Sequence, residues 1–457
     1  MPVLFLNNAQ AELTLPEPDP VKKLQVLGMS KNCEVEPVFN GRACIYEINK
    51  GAKETVVLVH GLNAEAARWY AQIAALKDKY HVISFDLPGF GQSSRSNKLY
   101  SPTNYARFVH YVTQKYIAKP FYLIGHSMGG AIALRYSAMY PADVKRLVLA
   151  DVGGVLHQYS YAKSIAFKWL KSLQRITNWA MPGLEDMPIV QELANTFFQN
   201  LDAVPLDVRD ALQVPELRRI ILNGNSIPIA SVAVSTEDFS GAIRKNKTPT
   251  LIIWGAYDLV TPIRTGKILQ VRMPKAYLKI LSRSAHSSMA DQPAAFNRLM
   301  LAHLDQTDSE LNHQHWQFPV FKKSGRIGKC TNGFERTFTG DYLRIELDNC
   351  RKVIIKNANI GSIMAKDSSI EIEASQIISK DIAITLFDST LNMTSSNITA
   401  NIGIQTVRSH IDVAGVDFKT ETAAVNNFGG SDAVFSVSNV NGHSLHRYKD
   451  FSLEGRI

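Results

Sequence analysis

The chain has 457 residues, 45% of them hydrophobic, and a formal net charge of +9. That length accommodates about two or three ordinary domains, and the apolar fraction excludes a disordered chain. The charge is modest and no long run of lysine and arginine occurs, so nucleic acid is not an expected partner, whereas an anionic membrane surface or an envelope component stays open.

No stretch of about 18 uninterrupted apolar residues exists, which argues against a spanning helix. Near the amino terminus, Val3-Leu4-Phe5-Leu6 precedes Ala9-Gln10-Ala11, the small-x-small form of a signal-peptidase site. A basic n-region is missing. The segment reads as the back end of a truncated secretion signal ending near Ala11, or as an ordinary frayed terminus. A periplasmic or secreted location is preferred to a cytoplasmic one on this basis. Cys33 and Cys44 flank Asn40-Gly41, a hairpin signal. A two-residue turn there sets a register in which the two cysteines are not directly opposite.

From Val56 to about Leu304, short apolar runs alternate with helical patterns. The runs are Val56-Val57-Leu58-Val59, Val82-Ile83-Ser84-Phe85, Tyr122-Leu123-Ile124, Leu147-Val148-Leu149, Leu251-Ile252-Ile253-Trp254 and Tyr277-Leu278-Lys279-Ile280. Buried strands separated by helices imply a mostly parallel sheet covered on both faces, with the Asn40-Gly41 hairpin as an antiparallel edge. Residues 155–244 break the alternation. They are helical in pattern and read as a cap over the carboxyl edge of the sheet. Within them, residues 166–180 place apolar side chains at helical spacing, with Lys168, Lys171 and Arg175 largely outside the stripe. A cap helix packed on the core is preferred to an interfacial helix meeting anionic lipid.

Residues 307–329 are polar and read as a linker. Beyond them Asp367-Ser368-Ser369-Ile370-Glu371-Ile372 resembles Asp388-Ser389-Thr390-Leu391-Asn392-Met393 and Arg408-Ser409-His410-Ile411-Asp412-Val413. A second strip pairs Asp381-Ile382-Ala383-Ile384 with Asn401-Ile402-Gly403-Ile404. The period is roughly 20 residues, in the solenoid range. Apolar residues alternate inside each unit, so each is a strand with one inward face. A right-handed parallel β-helix of about five rungs is expected over residues 330–445. Cys330 and Cys350 are one period apart. They fall at one position of adjacent rungs, with Ser369 and Thr390 continuing the column. A disulfide and a pair of buried thiols both stay open.

Gly125-His126-Ser127-Met128-Gly129 follows the run Phe121-Tyr122-Leu123-Ile124 and precedes a helical segment. Strand, sharp turn and helix are the setting in which G-x-S-x-G marks a nucleophilic serine. Asp258 follows the Leu251 strand and His286 follows the Tyr277 strand, so the chain order is serine, acid, histidine. Asp151, after the Leu147 strand, is the competing acid. Asp258 is preferred because its turn sits one strand before the histidine loop. The expected roles are Ser127 as nucleophile, His286 as base and Asp258 as orienting acid. Two N–H donors are needed for the developing oxyanion. Met128, after the serine, and Leu62, in the loop after Val59, are expected to supply them. Trp169, Trp179 and Met181 are candidate pocket residues, because an apolar cap suits an acyl group.

His60-Gly61, the loop Asp86-Leu87-Pro88-Gly89-Phe90-Gly91-Gln92-Ser93, the Ser127 elbow, Gly255-Ala256-Tyr257-Asp258 and the His286 loop together resemble the α/β-hydrolase superfamily. Its capped serine esterases and lipases are the nearest likeness, over residues from about 30 to 305. The resemblance implies a hydrolase sheet with a helical cap over residues 21–306 and a small-molecule ester or lipid as substrate; no zinc-spaced Cys/His group or phosphate-binding glycine loop occurs, so no cofactor and no metal are expected. It implies the same five residues in the same roles, with His60, His126 and Asp86 as structural supports. Ala285 stands where glycine is frequent, and Asp291 where glutamate is frequent. Thioesterase, peptidase or carbon–carbon hydrolase activity on the same residues is the alternative. A polysaccharide- or envelope-binding role carried by the β-helix is a further one. The solenoid lies outside the family pattern.

Overall fold

A computed structural model of the chain describes residues 19–117, 120–158, 160, 212–307, 310, 316–320, 322, 324–451 and 454–457. The expected apolar runs form strands β3 (Thr55–Val59), β4 (His81–Asp86), β5 (Phe121–His126), β6 (Val144–Ala150), β7 (Thr250–Gly255) and β8 (Ala276–Leu281). The hairpin supplies β1 (Ser30–Glu36) and β2 (Gly41–Ile48). The order across the sheet is β1-β2-β4-β3-β5-β6-β7-β8. From β4 to β8 neighbours pair in parallel, while β1 and β2 add antiparallel.

Successive side chains of a strand point to opposite faces. Val57, Leu123, Leu147 and Ile252 therefore enter one apolar core, and Val56, Ile124, Val148 and Leu251 enter another. Helices Pro102–Tyr116, Met128–Met139 and Ile263–Arg272 cover the first face through Phe108, Ala131 and Leu269. Helices Tyr70–Leu76 and Pro293–Asp305 cover the second through Ile73 and Phe296.

The hairpin corrects the expected register. Glu36 pairs with Gly41, so the loop spans residues 37–40. The buried Glu36 carboxylate holds it open by accepting the N–H groups of Val38 at 2.7 Å and Phe39 at 3.0 Å. Cys33 then lies directly opposite Cys44, with Cα atoms 4.1 Å apart, and the two form a disulfide.

The described part of the expected cap contains helices Pro215–Leu222, Ser226–Thr236 and Ser240–Lys245. Trp169, Trp179, Met181 and the amphipathic stretch 166–180 lie outside the described residues, as does the signal-like segment ending near Ala11.

Thirteen strands from Ile327 to Arg456 form a second sheet, whose first strand, Ile327–Thr331, begins inside the stretch expected as a linker. It is all β and mostly parallel; only His443–Phe451 and Gly455–Arg456 join it antiparallel. Ile345, Ile363, Ile384, Ile404 and Val425 are register partners in successive strands. Ile360, Ile377, Ile398 and Phe418 form a second column. Ile370, Leu391, Ile411 and Ala433 form a third. All three columns are buried in one core. A unit of this size cannot bury its apolar face alone, so the units stack.

A serine ladder, not foreseen from the sequence, runs beside the third column. Ser368, Ser389, Ser409 and Ser431 accept in turn the N–H groups of Cys350, Ser368, Ser389 and Ser409, at 3.0 to 3.1 Å. Short hydroxyls satisfy buried amides where the chain turns away from sheet pairing. Cys350 heads this ladder, so its column continues to Ser368 and Ser389 and not to Ser369 and Thr390. Cys330 is paired with Leu347, so the cysteines are not at one rung position. The turn before Cys350 nonetheless brings their Cα atoms to 6.3 Å, and they form a disulfide.

That bridge spans 20 residues, for which chain entropy gives roughly 3 kcal/mol. The double variant Cys330→Ala/Cys350→Ala is expected to unfold its C-terminal sheet at lower urea than the parent, followed by circular dichroism. An unchanged midpoint contradicts this.

Candidate active site

Ser127 sits between the end of β5 and the helix Met128–Met139, with φ 54° and ψ −121°. This is a strained backbone conformation for a residue with a Cβ. It is held by a hydrogen bond from the Ser127 N–H to the Ala150 carbonyl at 2.9 Å, and by its own carbonyl accepting from Ala131 at 3.1 Å. The turn is so tight that a Cβ on Gly125 would lie 2.2 Å from the Gly129 carbonyl oxygen. The strain lifts the serine hydroxyl clear of the sheet, at the carboxyl edge where the loops after β7 and β8 also emerge.

His286 comes from the loop after β8. Its Nε2 is 3.0 Å from Ser127 Oγ, and its Nδ1 is 3.0 Å from Asp258 Oδ2. The loop is shaped by Asp291, which accepts the Ala285 N–H at 2.8 Å and the Ser284 hydroxyl at 3.1 Å. His126 Nε2 donates to the His286 carbonyl at 2.7 Å. Burial, together with the neighbouring His286, lowers the His126 pKa to about 3. It is therefore neutral and acts as a fixed donor.

Asp258 is fully buried, in the turn after β7. It accepts the N–H groups of Val260 at 2.8 Å and Thr261 at 2.9 Å, and the Thr261 hydroxyl at 2.5 Å. Burial pushes its pKa up, but the bonds from His286 and Thr261 outweigh burial and hold it below the usual carboxylate value. Asp151, the competing acid, is differently placed. Its carboxyl accepts the N–H groups of Gly255 at 2.8 Å and Ser288 at 3.1 Å. Burial raises its pKa to about 7. It braces the ends of β7 and the His286 loop.

Met128 N–H opens a helix, where intrahelical acceptors are missing. Leu62 lies in the loop after β3, and a Cβ on Gly61 would meet Ser127 Cβ at 3.1 Å. Among the described residues neither the Leu62 nor the Met128 N–H meets a protein acceptor. The other supports are structural. The buried His60 donates from Nδ1 to the Gly61 carbonyl at 2.7 Å and accepts the Leu87 N–H at 2.9 Å. Asp86 accepts the Ala66 and Gln92 N–H groups, each at 2.8 Å.

A cavity of about 410 Å³ opens onto Ser127 and His286, bordered by Leu62, Asn63, Glu65 and Arg68. Arg68 donates to the Ser287 hydroxyl at 2.8 Å. Asn63, Glu65 and Arg68 on this wall, with Thr261, are the residues to which the motifs assign no role. The Asp258-to-Thr261 spacing of an Asx-type turn was the signal for Thr261.

A folded carboxyl held below its unfolded pKa adds stability above that value and loses it as pH falls through the folded one. Thr261→Val removes one of the bonds that lower Asp258. The variant is expected to lose more thermal stability at about pH 7 than at a pH low enough to protonate Asp258 in the folded chain as well. Equal losses at the two pH values, measured by calorimetry, contradict this.

A family model described as the alpha/beta hydrolase fold matches residues 54–293, more than half of the 457 residues. Monoacylglycerol lipase ABHD6 of Homo sapiens is 26% identical over 269 residues, covering 57% of this chain and 78% of that protein. Lipase 1 of Psychrobacter immobilis is 28% identical over 262 residues, covering 55% and 77%. Among solved structures, a membrane phospholipase A aligns with 24% identity and a TM-score of 0.45 over 62% of this chain and 88% of that one. A hydrolase from Pseudomonas aeruginosa PA01 aligns with 21% identity and a TM-score of 0.44 over 61% and 99%. The C-terminal parallel sheet lies beyond the family match. Through residues 54–293, the chain belongs to the α/β-hydrolase family.

Proposed function

We propose that this protein is a serine hydrolase that cleaves carboxylic esters, lipid or medium-chain acyl esters foremost, through an acyl-enzyme on Ser127. The observation that carries the reading is one imidazole held at 3.0 Å from a strained serine hydroxyl and at 3.0 Å from a buried carboxylate. His286 Nε2 takes the serine proton as Oγ attacks the ester carbonyl. The oxyanion forms against the Leu62 and Met128 N–H groups. His286 then gives the proton to the leaving alcohol, and water, deprotonated by the same ring, releases the acid. Asp258 fixes the ring tautomer and stabilises its cation. The acyl preference draws support from the lipase names of two relatives.

The proposed organisation is a catalytic domain over residues 21–306 with a cap at about 155–244, a linker at 307–329 and a right-handed parallel β-helix over 330–445. Three stacked apolar columns and a serine ladder support the winding, and parallel crossovers are right-handed almost without exception. Two disulfides favour an oxidising compartment, periplasmic or extracellular.

Initial rates on p-nitrophenyl esters of increasing chain length test the reaction. Ser127→Ala and His286→Ala are each expected to lose at least about a thousandfold in kcat. Hydrolysis that survives Ser127→Ala, or a parent that cleaves thioesters or amides but no carboxylic ester, contradicts the reading.

A further inference from the structure

The helix Ile263–Arg272 begins two residues after Thr261, directly behind the Asp258 turn. Its residues 264, 268 and 272 recur every four positions and so share one face. That face meets the C-terminal sheet. Arg272, with its side chain 5% exposed, donates to the Gly415 carbonyl at 2.7 Å and the Ser396 carbonyl at 2.5 Å, and pairs with Asp417 at 2.6 Å. Arg264 donates to Thr394 Oγ1 at 2.7 Å and the Met393 carbonyl at 2.9 Å, and pairs with Asp412 at 2.9 Å. Lys267 pairs with Glu373 at 2.5 Å. Between the two arginines, Ile268 lies against Gly415. A Cβ on Gly415 would stand 2.9 Å from Ile268 Cγ2, and its φ of +59° disfavours any side chain.

The segment leaving β6 meets the same surface. The His157 N–H donates to Ser436 Oγ at 2.9 Å, and Ser160 Oγ donates to Asp412 Oδ1 at 3.0 Å. Asp412 thus receives both the helix behind the acid and the chain that leads from β6 into the expected cap. A buried guanidinium each of whose nitrogens meets a fixed acceptor, as in Arg272, resists displacement, because a slip leaves the charge unpaired.

We propose that the C-terminal domain is a built-in clamp on the active site. Through Arg264, Arg272 and Asp412 it fixes the Asp258 turn from behind and anchors the base of the cap, so that turnover requires the docked state. Arg264, Arg272 and Asp412 are positioning residues; none touches the reacting atoms. This inference rests on the ester-hydrolase reading.

The test uses the full chain with Gly415→Val, Gly415→Arg, Arg264→Ala, Arg264→Lys and Asp412→Asn. Docking is followed by small-angle scattering and by trypsin cleavage in the linker, and activity by kcat and KM on one p-nitrophenyl ester. Undocked variants are expected to lose kcat about tenfold to a hundredfold, the scale of an ångström-level misplacement, with KM changed less than about threefold. Arg264→Lys is expected to retain more kcat than Arg264→Ala. Undocked variants with parental kcat overturn the clamp while leaving the Ser127 reading intact. Docking that persists in Arg264→Ala, Asp412→Asn and Gly415→Arg alike also overturns it, since the Arg264, Asp412 and Ile268 contacts are then not what holds the domain. A parent without ester hydrolysis, or one equalled by Ser127→Ala, removes the underlying reading instead.

Discussion

The backbone of Ser127 is held where a side-chain-bearing residue is uncomfortable, and the rest of the site is arranged around that conformation. Such a position costs on the order of 1–3 kcal/mol and persists only if its surroundings leave no alternative. They do so with covalent continuity on both sides: β5 is locked between β3 and β6, and the helix Met128–Met139 is packed in the apolar core. The turn that joins them has no room for a side chain at Gly125. The serine hydroxyl is therefore delivered to a fixed point, with a helix N-terminus beneath it that favours negative charge.

The electrostatics divide two buried carboxyls between two tasks. Asp258 receives the imidazole, a hydroxyl and two amides, and stays ionised below the usual carboxylate value. Asp151 receives two backbone N–H groups, and burial lifts it to about 7. The Asp258 charge itself pushes Asp151 upward. A second anion near Asp258 is thus disfavoured, and Asp151 ties together the two loops that carry Asp258 and His286.

Much of this was legible in the sequence because each signal was local. The six apolar runs from β3 to β8, the elbow motif and the order of Ser127, Asp258 and His286 each depend on a few neighbouring residues. The repeats of the C-terminal sheet were legible for the same reason: identical stacking demands similar residues at each turn. What stayed hidden depended on contacts between distant segments. The Cys33 register follows from Glu36 folding its carboxylate back on its own loop, which the Asn40-Gly41 pair does not announce. Cys350 and Ser368 share a column because of a turn whose length no repeat comparison reveals. The face formed by Arg264, Ile268 and Arg272 looks like an ordinary solvated helix surface until the Gly415 corner is placed against it. Trp169, Trp179 and Met181 lie outside the described residues, so the acyl wall is argued from composition, while the wall that is described is polar.

The central claim is that Ser127 is the nucleophile. It is tested most directly by treating the folded chain with a fluorophosphonate and locating the adduct by peptide mass spectrometry. A single phosphonylated residue, Ser127, is expected, with labelling abolished when the protein is unfolded first, since the reactivity belongs to the assembled site. Stoichiometric labelling at another residue, or labelling of Ser127 that is equally fast in the unfolded chain, contradicts it.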